Sequence, residues 1–91
     1  MRKINLFNTF RKDYNKVKKQ QWDLEAIDET IKILLDWDIL PAKLKDHALS
    51  GDLKDFRECH IFGDLVLIYK RNDEILSLYR IGRHQDLFKN Y

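Results

Sequence analysis

KDFRECHIFGDLVLIYKRNDEILSLYRI, residues 54–81, decides the fold. Its centre, Leu65-Val66-Leu67-Ile68-Tyr69-Lys70, is a nearly continuous apolar run too short for a buried helix, rich in β-branched and aromatic residues, and so predicts a strand. Residues 54–61 alternate as a second strand, and 75–81 form a third. Gly63 punctuates the first connection, and Arg71-Asn72-Asp73-Glu74 makes the second, so the three strands predict an antiparallel meander. Upstream, the period changes to that of a helix. Phe7, Phe10, Tyr14 and Val17 recur at helical spacing, with Asn8 as the candidate N-cap. A second helix is expected from Asp23, its candidate cap, with Trp22 and Ile27 as a hydrophobic staple and Leu24, Ile27, Ile31, Leu34 and Leu35 as its stripe. Pro41 disfavours helix at Leu40, so the helix should stop before it. Residues 2–6 read as a short first strand, and 42–52 as a polar loop turning at Gly51. The order β-α-α-β-β-β predicts an α+β domain over residues 1–91, a helical hairpin covering one face of a mostly antiparallel four-stranded sheet.

Ninety-one residues with 44% hydrophobic content support one small core and argue against disorder. No apolar run is long enough to span a membrane, and the N-terminus lacks the apolar stretch of a signal peptide. The single cysteine, Cys59, rules out an intrachain disulfide, and a cytoplasmic location is expected. The net charge of +2 is unevenly spread. Residues 1–21 carry seven Lys/Arg against Asp13 alone, whereas residues 22–40 carry Lys32 against six acids. A basic first segment suits phosphate backbones; its plainer reading is a solvated helix face.

Pairing the strands places the chemistry. With 62–63 turning the first hairpin, His60 lies roughly opposite Leu65. With 72–73 turning the second, positions summing to about 145 face each other, which sets Asp64 near Ile81 and His84 near Ile61. His60, Asp64, Arg80 and His84 should therefore gather at one end of the sheet, with His47 in the loop above it. Imidazoles titrate near neutrality and serve as either base or acid, as attack of a ribose 2′-hydroxyl on its own phosphate requires. Arg80, Arg83, Arg57 and Lys54 are the candidate cations for the extra charge on the phosphorane. Taken singly, each histidine is more often a surface or core-edge residue than a catalyst. A zinc site from three histidines and Asp64 is the sharp alternative, but the spacing matches no common structural pattern, and no metal or other cofactor is expected. Phe88 reads as half-packed or as a base-stacking ring. Cys59 alternates with His60, so it should point to the other face as an inert thiol.

Four ordered blocks then resemble a known group: Lys45-Asp46-His47-Ala48-Leu49-Ser50-Gly51, Arg57-Glu58-Cys59-His60-Ile61, Asp64-Leu65-Val66-Leu67-Ile68-Tyr69, and Arg80-Ile81-Gly82-Arg83-His84-Gln85-Asp86-Leu87-Phe88. Their sequence and spacing resemble the YafQ-like branch of the RelE/ParE toxins of type II toxin–antitoxin systems; residues 1–39 match only in their strand–helix–helix pattern. The resemblance implies an mRNA interferase that cuts mRNA in the ribosomal A site. It also implies a partner antitoxin, a dimeric DNA-binding protein. It implies an active-site set of His47 (general base), His84 (general acid), Phe88 (orienting the RNA), and His60 and Asp64 (organising the site), with Arg80 on the phosphate. Leu65 stands where some relatives have Trp, and Arg83 replaces a small polar residue before His84. Two rival readings remain: a ParE-like gyrase binder that cuts nothing, and an inactive remnant that only binds its antitoxin. Paired acid and base groups favour the nuclease over both.

Overall fold

The structure, a computed structural model, describes residues 1–88 of the single domain expected over 1–91. Strand β1 (Lys3–Leu6) leads into α1 (Asn8–Lys19) and α2 (Leu24–Asp36). A 3₁₀ turn (Ala42–Leu44), the two-residue strand β2 (His47–Ala48) and a second 3₁₀ turn (Gly51–Leu53) follow. The meander β3 (Arg57–Phe62), β4 (Leu65–Arg71) and β5 (Ile75–Arg83) ends in a short helix, α3 (His84–Leu87). The sheet has five strands rather than the expected four, in the order β1-β5-β4-β3-β2. β1 lies parallel to β5, and every other pair is antiparallel.

β4 is continuously apolar because both of its faces are covered: Leu65 through Tyr69 are each 0% exposed. On one face Leu65, Leu67, Tyr69, Cys59, Leu76, Leu78 and Ile81 pack under Phe10 and Val17 of α1 and Ile27, Ile33 and Leu34 of α2. On the other, Val66 and Ile68 pack with Leu53, Leu87, Phe56, Tyr79 and Phe88. The first face is the core. Among the described residues, the second is covered by the 49–56 loop, by α3 and by Phe7, which packs on Phe56 and Tyr79.

Element ends differ from the sequence expectation for identifiable reasons. Asn8 is the first helical residue of α1 and not its cap, because Phe7 continues the extended chain and donates its N–H to Leu78 O at 3.0 Å. Asp23 does cap α2, accepting from Glu25 N at 3.0 Å and Ala26 N at 3.2 Å. That helix ends at Asp36, short of Leu40, where arginines take its last carbonyls: Arg71 Nη1 donates to Leu34 O at 2.7 Å and Arg2 Nη1 to Leu35 O at 3.1 Å. β3 starts at Arg57, three residues later than expected, since Lys54 N–H bonds Gly51 O and Phe56 N–H bonds Leu53 O in a compact turn. Gly51 and Gly63 both take positive φ, +65° and +53°, at the turns expected of them.

Register is the larger correction. Asn72 Oδ1 accepts from Glu74 N and Ile75 N, both at 2.8 Å, so residues 72–74 form the second connection and Arg71 pairs with Leu76. The partners on β5 therefore lie two residues further along than a two-residue turn gives. An irregularity between Ile68 and Tyr69 adds one more, setting Leu65 against Arg83. Asp64 consequently meets His84, whose N–H donates to Asp64 O at 2.9 Å, and not Ile81. In the first hairpin a bulge sets His60 against Val66 in place of Leu65.

A partly buried polar strut ties the 3₁₀ region to the sheet. Asp46 accepts from Arg57 Nη2 at 2.6 Å, from Arg57 Nε at 2.9 Å and from the Tyr69 hydroxyl. Burial pushes the Asp46 carboxyl up, but the Arg57 and Tyr69 hydrogen bonds and the charges of Arg57 and Arg71 outweigh it, leaving it below its ordinary value of 3.8. Its stabilisation is thus fully present above that value and is lost as pH falls through the lower folded value. Asp46→Asn should lower stability at pH 6 and flatten the loss on acidification. Urea unfolding between pH 2.5 and 6 checks this, and parallel curves for the two proteins below pH 4 would contradict it.

Candidate active site

Two residues of β2 set the geometry. β2 pairs with β3 so that His47 lies directly across from Glu58. Glu58 and His60, two apart on β3, share a face, and their cross-strand partners Ile68 and Val66 belong to the second apolar cluster. α3 brings His84 in from the end of β5. Three imidazoles meet at one carboxylate. His60 Nε2 lies 3.2 Å from Glu58 Oε1, His47 Nε2 3.6 Å from the same oxygen, and His84 Nε2 3.4 Å from Oε2. The Glu58 side chain is only 2% exposed, against 29% for His60, 52% for His47 and 54% for His84. Glu58 Oε2 has no well-formed hydrogen bond. A carboxylate taken out of water costs several kcal/mol unless charge or N–H groups compensate. The three imidazoles are the groups placed to compensate it, each by its protonated form.

His47 is oriented by its other nitrogen. Nδ1 lies 2.9 Å from Lys45 O, and since a carbonyl oxygen only accepts, Nδ1 carries the proton. In the neutral ring Nε2 is then the lone-pair nitrogen. Lys45 takes a left-handed conformation (φ 49°) that ends the preceding 3₁₀ turn. His84 packs against Phe88 with ring centroids 4.5 Å apart and the ring planes tilted by 32°. α3 is seated by Leu87, which is buried and passes over Gly82; a Cβ on Gly82 would lie 3.2 Å from Leu87 Cδ2. His47, Glu58, His84 and Phe88, with Leu49 and Leu53, line one cavity of about 520 Å³.

Of the residues expected at the site, His47, His60, His84 and Phe88 come together. The others do not join them as anticipated. The Asp64 carboxylate, 53% exposed, faces Arg83 Nε at 3.3 Å, and it is the Asp64 backbone that engages His84. Arg80 is bound to Asp13 of α1 through Nε at 2.6 Å and Nη2 at 3.2 Å. Arg57 pairs across from Tyr69, on the helix-covered face opposite to Glu58, and is committed to Asp46. Lys54 ends the Gly51–Leu53 turn and is exposed, with its backbone N–H on Gly51 O. Glu58 is the site residue that the sequence reading passed over. The signal was available, since the alternation that turns Cys59 away from His60 also turns Glu58 toward it. Among the described residues, no group of three or more His, Cys, Asp or Glu side chains is arranged to hold a metal ion. The imidazoles close on the carboxylate instead.

An α+β toxin fold of the RelE/ParE type, with a histidine cluster on its open face, is the class these features define. The sequence profile described as "Bacterial toxin of type II toxin-antitoxin system, YafQ" matches residues 2–89. The chain belongs to that family. It is 34% identical over 88 residues to the mRNA interferase toxin YafQ of Escherichia coli strain K12, covering 96% of both chains. The E. coli DinJ-YafQ complex contains a structure that superposes with a TM-score of 0.87 at 34% identity, over 97% of this chain and 99% of that one. A metal-bound toxin from Helicobacter pylori superposes at 0.86 and 39% identity, over 97% and 100%. No helix among the described residues is long and apolar enough to cross a membrane.

Cys59, between Glu58 and His60, faces the core as expected and is 0% exposed. Burial, then the charges of Asp46 and Glu58, push its thiol up to about 12. At pH 8 it should therefore resist a disulfide reagent in the folded protein and react promptly in denaturant. Fast labelling of the native protein, measured by release of the reagent chromophore, would refute this placement.

Proposed function

We propose that this protein is an endoribonuclease that cleaves mRNA by metal-independent acid–base catalysis, in the ribosomal A site, and that a cognate antitoxin holds it in check. The convergence of three imidazoles on the buried Glu58, with His47 and His84 lining one cavity beside it, carries this reading. The activity in the name of its E. coli relative and the antitoxin in that relative's complex agree with it. In cleavage, the ribose 2′-oxygen attacks the adjacent phosphorus, one group removes the 2′-proton, and another protonates the departing 5′-oxygen.

The His47 tautomer suits the base: with Nδ1 held on Lys45 O, proton uptake falls on Nε2, and the imidazolium so formed lies beside the Glu58 carboxylate. His84, half exposed and on the same cavity, suits the acid. His60, the least exposed ring and nearest to Glu58, suits charge stabilisation at the phosphorane. Glu58 touches no RNA in this scheme; it positions the rings. The Phe88 ring, packed against His84, suits a base flanking the scissile phosphate. Asp64 and Arg83 form the outer edge of the site, and Lys54 stands beyond it. The pairs Arg80–Asp13 and Arg57–Asp46 act as struts of the fold rather than as phosphate ligands.

His84→Ala separates catalysis from folding. A half-exposed ring at the sheet end should contribute about 0.5 kcal/mol or less to stability, whereas loss of a proton donor should cost roughly 10² to 10⁴ in cleavage rate. Melting temperature and cleavage on translating ribosomes measure the two. A folded variant that cuts at the wild-type rate would remove His84 from the mechanism. Activity should also survive excess EDTA; its loss, with recovery on adding zinc, would refute the metal-free chemistry. In bacteria, induction without antitoxin should stop protein synthesis before DNA synthesis. The reverse order with mRNA intact would favour a gyrase binder.

A further inference from the structure

A second cavity, of about 470 Å³, lies beside the histidine site. α1 forms one wall with Lys16, Lys19 and Gln20, and the end of β5 with α3 forms the other with Arg83 and Asp86. Arg80 and Asp13, paired across its floor, hold the two walls together. Its lining has four basic side chains against the two acids Asp13 and Asp86. Lysines in the last turn of a helix are commonly explained by the helix dipole. That explanation does not account for their facing a groove, nor for where the groove leads. Arg83 lines this cavity and His84 lines the other. Their Cα atoms are one peptide apart, about 3.8 Å, which is less than one nucleotide of chain. The two cavities therefore adjoin at the Arg83–His84 junction, with Lys16 and Lys19 on the far wall of the groove.

We propose that the Lys16–Lys19–Arg83 groove binds the phosphodiester backbone of the RNA being cut, on one side of the scissile phosphate. This rests on the nuclease reading above and adds a substrate subsite to it. Lys16 and Lys19 are exposed and three residues apart on α1, so both present ammonium groups to a passing backbone without a role in the core. The contacts are sequence-independent, and they should appear in binding and in KM, not in the chemical step.

The test uses the double variant Lys16→Gln/Lys19→Gln, which keeps helix-forming side chains and removes two charges. Binding of 2′-O-methyl RNA, which cannot be cleaved, is read by fluorescence anisotropy with a 12-mer and a 3-mer across a salt series. The 12-mer should bind more weakly to the variant, with the salt slope reduced by about 1.4, or roughly 0.7 per lost phosphate contact on a single strand. The 3-mer should bind both proteins alike, and cleavage should show a raised KM with kcat unchanged. Equal 12-mer affinity and slope in the two proteins would overturn the proposal. So would intact free-RNA binding combined with impaired cleavage on ribosomes, which would assign the lysines to ribosomal RNA. Wild-type protein that binds the 12-mer through these lysines but cuts no RNA would refute the nuclease reading and leave the groove standing.

Discussion

A carboxylate that is almost entirely out of water has to be answered by positive charge or N–H groups, and much of this fold serves that requirement at Glu58. Its answering groups come from three separate stretches of chain: His47 from β2, His60 from β3 itself and His84 from α3. The apolar β4 behind it supplies a rigid, dry backing in Val66 and Ile68, so the carboxylate has little water with which to share its charge. β2, only two residues long, is enough to hold His47 across from Glu58, and Gly82 leaves room for Leu87 to fold α3 back over the sheet. The arrangement gives rings that are fixed on the protein side and open on the other.

The basic residues divide by partner. Arg80 and Arg57 each carry a close carboxylate from distant sequence, Asp13 at a separation of 67 residues and Asp46 at 11. A guanidinium so engaged is a strut: it joins α1 to β5, or the 3₁₀ region to β3, and its charge is largely cancelled. Arg83 faces a half-exposed Asp64 at 3.3 Å, and Lys16 and Lys19 reach solvent, so these keep more of their charge at the surface. Nothing in the local sequence of a strand arginine separates the two kinds. The distinction lies in a tertiary partner.

That is also where the reading of the sequence reached its limit. The helices, β4 and β5 were legible because period and composition are local, and Asp23 as a cap was legible for the same reason. That His60 and His84 share one end of the sheet was legible from hairpin pairing, although in another register, and His47 and Phe88 from the loop position and the resemblance of the four blocks. β2 was not, since two residues in a polar loop carry too little propensity to announce a strand. The exact facing of Asp64 was not, since Asn72 builds a longer turn than a two-residue hairpin and an irregularity at Ile68/Tyr69 shifts the ladder again. Glu58 was within reach of the alternation rule, but a lone acid on a strand reads as surface until its burial is known. Asn8 failed as a cap because the neighbouring strand kept Phe7 extended, a tertiary effect overriding a local preference.

The central claim is that imidazoles held by Glu58 move protons between ribose and phosphate oxygens, with no water-derived nucleophile. The chemical ends of the cleaved RNA test it most directly. Mass spectrometry of fragments from a defined mRNA on translating ribosomes should find a 2′,3′-cyclic phosphate or its ring-opened 3′-phosphate upstream of the cut and a 5′-hydroxyl downstream. A 2′-deoxy residue at the cut should block the reaction. Fragments ending in a 3′-hydroxyl and a 5′-phosphate, or cleavage that proceeds past the 2′-deoxy residue, would contradict the account.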